Sequence, residues 1–162
     1  GMSTRKLAML KAGDSLYAFT GPLGVPTHVE NVGTVCCVAG GFATAIVVPV
    51  AQAFKEAGNR VVSIMGFRTK ELVFWEDKLK EVSDELIMCT DDGTYGRKAL
   101  VTEPLKEVME RNKDINLVVA IGPTVMMKFA CATKTPIRSW KNSLHSSNVI
   151  VKRWMPSLKS RN

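Results

Sequence analysis

The sequence predicts an α/β domain of three layers: a parallel sheet of four to five strands with helices on both faces. Three observations carry that expectation. Short apolar segments rich in β-branched residues alternate with segments of helical periodicity between residues 34 and 133. The links between them are short, and right-handed crossovers between successive strands leave little other arrangement. The strand candidates are apolar throughout rather than at every second position, which suits strands buried on both faces. At 162 residues and 46% hydrophobic, one domain with a proper core fits.

Residues 15–19, "SLYAF", read as a short strand, followed by the Gly- and Pro-rich "TGPLGVPTHVEN". That loop reads as a connector between domains, yet only about twenty residues precede it. They are too few for a domain, so the chain is expected to begin partway through something larger. Thr34–Ala39 reads as the first strand of the alternating region, and Phe42–Ala57 as a helix stopped by Gly58. Arg60–Gly66, "RVVSIMG", is the second strand. Thr69–Val82 is expected to be helical, since Leu72, Trp75, Leu79 and Val82 recur at steps of three and four. Glu85–Thr90 is the third strand, and "DDGTYGRK" the loop after it. Thr102 is expected to cap a helix running to about Asn112, with Pro104 tolerated in its first turn. Ile115–Ile121 is the fourth strand, and Gly122-Pro123 breaks the chain before a short helix from Thr124 to about Thr133. Past Thr133 the alternation fails, and only "NVIVKRW", 148–154, offers a further strand. The expected organisation is a leading segment 1–30, an α/β domain 31–133 and a basic tail 134–162.

The net charge of +7 points first to nucleic acid, but its distribution argues otherwise. From Ile115 to Asn162 there are eight Lys/Arg and no Asp or Glu, which leaves the first 114 residues at a net −1. A basic tail binds phosphate backbones without specificity or is simply a solvated end, so nucleic acid is not the expected partner. No apolar stretch reads as a membrane span, because Val35–Val50 contains two glycines and Pro49. The amino terminus has no signal-peptide design, since Lys6 and Lys11 interrupt its apolar segments. The expected location is the cytoplasm. Cys36, Cys37, Cys89 and Cys131 form no CxxC pair, and His28 and His145 lie far from them in sequence. Adjacent residues on a strand point to opposite faces, so Cys36 and Cys37 cannot grip one metal there. They read as buried apolar thiols, and no metal site is expected.

Ligands of open parallel sheets bind outside the carboxyl ends of the strands, at the switch in strand order. The loops at that edge are "AGGFAT", "GFRTKE", "TDDGTYGRK" and "GPTVMM". Gly40 and Gly41, between a strand and a helix, let the backbone turn tightly and admit a phosphate to free amides. A plain tight turn would use the same residues. Arg68 follows the second strand, where a guanidinium can stack on adenine or meet a phosphate, or can simply start a helix at the surface. Asp91 and Asp92 supply two carboxylates, and the pair also makes a good turn. Met126 and Met127 read as core, and Thr124 as a helix cap. Tyr95 and Lys98 are the nearest candidates for a proton-donor pair, without a supporting serine, so no catalytic residue is assigned.

Five segments in this order, "GDSLYAFTGPLG" at 13–24, "AGGFATAIVVPVAQAFKEAGN" at 39–59, "GFRTKELVFWED" at 66–77, "TDDGTYGRKALVTEPLKEV" at 90–108 and "AIGPTVMMK" at 120–128, resemble the NAD(P)-binding domain of the ferredoxin–NADP reductase superfamily. The branch is that of the dihydroorotate dehydrogenase electron-transfer subunit, the sulfide dehydrogenase small subunit and the small subunit of NADH-dependent ferredoxin:NADP oxidoreductase. The resemblance implies a Rossmann-like nucleotide module of an NAD(P)H-dependent flavoprotein oxidoreductase. In the complete family protein, hydride passes between nicotinamide and FAD, and electrons leave through a [2Fe–2S] centre. It implies that Gly40, Gly41, Phe42, Ala43 and Thr44 form the loop under the pyrophosphate, with Arg68 and Thr69 facing the adenosine. Asp91, Asp92 and Gly93 would border the cleft, and Gly122, Pro123 and Met126 would lie near the nicotinamide. Residues 1–30 would be a remnant of the FAD-binding barrel and its linker, with "GPLG" at 21–24 leaving the last barrel strand. The partners implied are NAD or NADP and a larger catalytic oxidoreductase subunit, with room for a homo-oligomer. The chain alone is not expected to be active. The family loop usually reads Gly-x-Gly-x-x-Pro, whereas residues 41–46 read "GFATAI", and residues 134–162 do not resemble the family's ending. An interaction fragment that has lost nucleotide binding therefore remains the alternative.

Overall fold

A computed structural model describes residues 1–21, 23–24, 26–132, 143–144 and 149–153, with the side chains from 131 onward left out. The expected strand at 148–154 falls partly within this range. The rest of the basic tail, His145 and the Cys131 thiol lie outside the described residues.

The elements are α1 (Met2–Ala8), β1 (Thr34–Gly40), a 3₁₀ turn (Gly41–Ala43), α2 (Thr44–Glu56), β2 (Arg60–Phe67) and a 3₁₀ turn (Lys70–Leu72). They continue as α3 (Glu76–Val82), β3 (Glu85–Thr90), β4 (Arg97–Lys98), α4 (Thr102–Arg111), β5 (Ile115–Ile121), α5 (Thr124–Ala132), β6 (Ser143–Leu144) and β7 (Val149–Arg153). The sheet order is β4-β3-β2-β1-β5-β7-β6. The first five strands are parallel, and β7 and β6 add an antiparallel edge beside β5.

The three layers follow from strand parity. On one face, Val35, Cys37, Ala39, Val61, Met65 and Val119 pack beneath α2 and α3 through Val47, Ala51, Phe54 and Leu79. On the other, Cys36, Val38, Val62, Ile64 and Ala120 meet Val101, Leu105, Val108 and Ala130. Neighbouring thiols thus face opposite layers, as alternation requires. Burial pushes the Cys36 thiol well above its ordinary range and Cys37 up to about 12, so both stay protonated.

Four local expectations change. "SLYAF" is not a strand: residues 15–19 are exposed coil, because a strand needs a neighbour to complete its ladder. Thr69–Val82 is not one helix. It is a 3₁₀ turn, then extended Val73, then Trp75 in the left-handed region at φ 58°, then α3. The side chain drawn inward is Phe74, edge-on to Phe67 with centroids 5.8 Å apart, while Leu72 and Trp75 of the expected stripe stay exposed. Thr102 is the first residue of α4 rather than its cap, and the cap position holds Val101, without a side-chain bond. The expected helix from Phe42 begins instead as a 3₁₀ turn and becomes α-helical at Thr44.

Gly58 does stop α2. At φ 82° it donates to the Lys55 carbonyl, and Asn59 donates to Phe54, which is a Schellman ending. The Asn59 side chain then ties the incoming segment to the domain. Its Oδ1 accepts from the Val32 and Gly33 amides at 2.7 and 3.1 Å, and its Nδ2 donates to the Glu30 and Phe54 carbonyls at 3.0 and 2.8 Å.

Asp84 closes the amino edge. Its Oδ2 accepts from the Val61 amide at 2.8 Å, and Lys55 Nζ lies 3.4 Å from Oδ1. The Val61 hydrogen bond, helped by Lys55, holds this carboxyl below its ordinary range. A carboxyl with a depressed folded pKa contributes stability above its unfolded pKa and loses it as pH falls through the folded one. The melting temperature should therefore drop on acidification from about pH 5 to about pH 3. Asp84→Asn should flatten that part of the profile; an unchanged slope would remove Asp84 as its source.

Candidate functional site

The chain leaves β1 towards β2 on one side and reaches β5 on the other, so strand order switches between β1 and β5. Crevices of this kind bind ligands outside the carboxyl ends. The last ladder pairs are Gly40 with Gly66 and Ala39 with Ile121. Beyond them the tips of β1 and β5 converge: a Cβ on Gly122 would lie 3.3 Å from the Gly40 nitrogen and 2.9 Å from Met126 Cε.

The two glycines of the opening loop have different reasons. A Cβ on Gly40 would meet Met126 Sδ at 3.0 Å and Pro123 Cδ at 3.3 Å, so Gly40 makes room for the protein itself. Gly41 sits at φ 58° with nothing within 4 Å of an added Cβ. Its backbone needs glycine, and the space above it is open. The first amides of a helical segment have no partner within it. The open space over Gly41 therefore suits an anionic group such as a diphosphate.

Ala43 packs its methyl against the core cluster beneath α2, and Ile46 lies exposed on the helix's outer side. Thr44 is fully buried and its Oγ1 donates to Met65 Sδ at 3.8 Å, so that hydroxyl faces inward. Phe42 points outward and is 81% exposed.

The second and third loops are laced together. The Asp91 amide donates to the Phe67 carbonyl at 3.0 Å, Asp92 to Arg68 at 3.3 Å, and Lys70 to Thr94 Oγ1 at 2.9 Å. Arg68, Thr69, Asp91, Asp92 and Gly93 therefore lie on one rim. Asp92 Oδ1 accepts from the Thr94 amide and hydroxyl at 3.0 and 2.7 Å. These bonds, the amide first, hold its carboxyl below the ordinary range. Asp92 shapes the turn. Gly93, at φ 79°, lies against the stem of Lys98, which would be 3.0 Å from an added Cβ.

Sequence reasoning missed the latch that holds this rim to α3. Tyr95 Oη donates to Glu76 Oε2 at 2.6 Å, and Lys80 meets Glu76 Oε1 at 2.7 Å. Lys80 first, and Tyr95 second, lower the Glu76 carboxyl, which in turn pushes the Tyr95 hydroxyl up. Tyr95 is thus engaged with Glu76 rather than with Lys98. The Asp91-Asp92 pair was the sequence signal for the turn; nothing local pointed to Glu76. Met127 is buried, whereas Met126 is only partly so and lies against the two strand tips.

The chain has relatives among known proteins. The chain is 42% identical over 134 residues to a dihydroorotate dehydrogenase B (NAD(+)) electron transfer subunit homolog of Thermotoga maritima, covering 83% of this chain and 46% of that protein. It is 39% identical over 129 residues to a probable dihydroorotate dehydrogenase B (NAD(+)) electron transfer subunit of Methanocaldococcus jannaschii, covering 79% and 48%. A solved NADH-dependent reduced ferredoxin-NADP oxidoreductase superposes with a TM-score of 0.70 at 39% identity, over 81% of this chain and 47% of that one. The chain is a homologue of part of the dihydroorotate dehydrogenase B electron transfer subunits. The cytochrome b5 reductase domain of Ulva prolifera nitrate reductase shares the fold, with a TM-score of 0.55 at 17% identity, over 81% of this chain and 57% of that one. No protein-family model matches the chain.

The chain spans about half the length of the curated relatives it matches. Those relatives are named as electron transfer subunits. Large apolar side chains stand exposed around the same carboxyl edge, at Phe42, Leu72, Trp75, Leu100 and Val125. No helix among the described residues is long and apolar enough to cross a membrane. Cys36 and Cys37 face opposite layers, and Cys89 is buried in β3. These three thiols do not make a ligand set for an iron–sulfur cluster.

Proposed function

We propose that the chain binds a nicotinamide nucleotide, NAD or NADP, along the carboxyl edge of its sheet and orients it for hydride exchange with a flavin in a larger oxidoreductase. The observation that carries this is the open space over Gly41 at the β1/β5 switch, beside the Gly40–Gly122 contact. The pyrophosphate lies over Gly40, Gly41 and the Phe42–Thr44 backbone. The adenosine lies towards Arg68 and Thr69, on the rim braced by Asp91, Asp92 and Gly93. The nicotinamide end lies at Gly122, Pro123 and Met126. When bound, the nicotinamide supplies the hydride chemistry, and the chain supplies position and exclusion of water. FAD and a [2Fe–2S] centre are assigned to other parts of the complete protein, with residues 1–30 as the remnant of the flavin barrel. The exposed Leu72, Trp75, Leu100 and Val125 along that edge support a larger catalytic subunit or domain covering them beside the nucleotide.

Titrating NADH into the purified chain by calorimetry tests the proposal. Weak saturable binding, without reductase activity, is the expected result. Phe42, which projects from the rim of the cradle, favours a second reading: an interaction module without nucleotide binding. No heat change up to about millimolar NADH, the weak end of the affinity scale, would select that second reading.

A further inference from the structure

We propose that Phe42 and Arg68 bracket the purine ring of the bound nucleotide, the phenyl ring on one face and the guanidinium on the other. This rests on the nucleotide site proposed above and names the groups that read its base. The juxtaposition comes from sheet register. Gly40 pairs with Gly66, so Phe42, in the 3₁₀ turn after β1, and Arg68, just past β2, each follow the last ladder pair of these adjacent strands by two residues.

Both groups are held by backbone or ring contacts while their faces stay open. Phe42 lies at the end of a chain of rings: its centroid is 6.4 Å from Phe74 at 40°, and Phe74 is edge-on to Phe67 and Trp75 at 5.8 and 5.7 Å. With 81% of its surface exposed, it keeps a free face. The Arg68 carbonyl accepts the Asp92 amide at 3.3 Å, which fixes where the side chain departs. Its side chain is exposed, and no ion pair engages the guanidinium among the described residues.

The pairing of charge with ring selects the ligand. An apolar protein surface laid on Phe42 would strip water from Arg68 and offer nothing in return. A planar heteroaromatic base offers a π face to both groups, since guanidinium and phenyl each stack on such rings. The open space over Gly41 supplies the site for phosphates attached to that base.

Calorimetric titration of the whole chain with AMP, NMN and NADH separates the two halves of the ligand. Phe42→Ala should weaken AMP and NADH by about tenfold and leave NMN within about twofold, the scale of one lost stacking contact. Phe42→Trp should hold AMP within about threefold, with the new indole's emission quenched on binding. Unchanged or tighter AMP binding by Phe42→Ala overturns the proposal, as does an equal loss for AMP and NMN. Should the wild-type chain bind NADH while Phe42→Ala leaves the AMP affinity unchanged, only the bracket fails. A wild-type chain that ignores all three ligands removes the nucleotide site and the bracket together.

Discussion

Asn59→Ala should lower the unfolding free energy by about 3 kcal/mol, the summed effect of several part-buried hydrogen bonds. Asn59 is buried, at 5% exposure, and its amide joins two separate pieces of chain, residues 30–33 and the end of α2. Oδ1 takes the Val32 and Gly33 amides, while Nδ2 reaches the Glu30 and Phe54 carbonyls. Alanine would remove this partner from the Val32 amide and the Glu30 carbonyl, while the Gly33 amide keeps Asn31 Oδ1 at 3.0 Å and the Phe54 carbonyl keeps the Asn59 amide at 3.1 Å. For a chain of this size the melting point should fall by about 6–12 °C. Asn59→Asp should lie between the two, because it retains the acceptor and loses the donor. Urea unfolding followed by circular dichroism measures this, with the slope on denaturant unchanged. A loss below about 1 kcal/mol, within reach of a single hydrogen bond, would mean that the clasp is incidental.

The second large effect separates two neighbouring glycines. Gly41→Ala should cost about 1 kcal/mol of stability, the penalty of a left-handed backbone with a Cβ. Its effect on NADH affinity should be far larger, about thirtyfold or more, since a methyl would stand where the diphosphate is proposed to lie. Gly40→Ala should behave differently. Its Cβ would press on Met126 Sδ at 3.0 Å and Pro123 Cδ at 3.3 Å. The flexible thioether can yield, so the main loss should be in stability, by about 1–2 kcal/mol of overpacking. Parallel melts and NADH titrations of the two variants decide the matter. Equal effects on affinity would show that the cradle has been placed at the wrong residue.

Much of the layer structure was legible because burial on both faces leaves a local mark. Glu85–Thr90 and Ile115–Ile121 were read with their observed limits, and β1 and β2 each run one residue further. Continuous apolar runs of this length, separated by helical periodicity, have few other uses. Gly58 and Pro104 were also read for what they do, since positive φ and a missing N–H are properties of the residue itself. The errors fall where a neighbour decides. "SLYAF" has strand-like composition but no adjacent strand among the described residues. The stripe Leu72, Trp75, Leu79 and Val82 kept its period, yet Phe74 turned inward to meet Phe67 and broke the helix.

The amino-acid order by itself determined the alternation of strand and helix, the edge at which glycines gather, and the opposite facing of Cys36 and Cys37. Each of these depends on spacing along the chain and on intrinsic backbone preference. Only the tertiary structure decided why Gly40 and Gly41 are both glycine, one for the Met126 thioether and one for open space. It alone tied the Asp92 turn to Arg68 and Tyr95 to Glu76. Those contacts join residues from different loops, and a packing distance between remote segments leaves no periodic trace in the sequence that forms it.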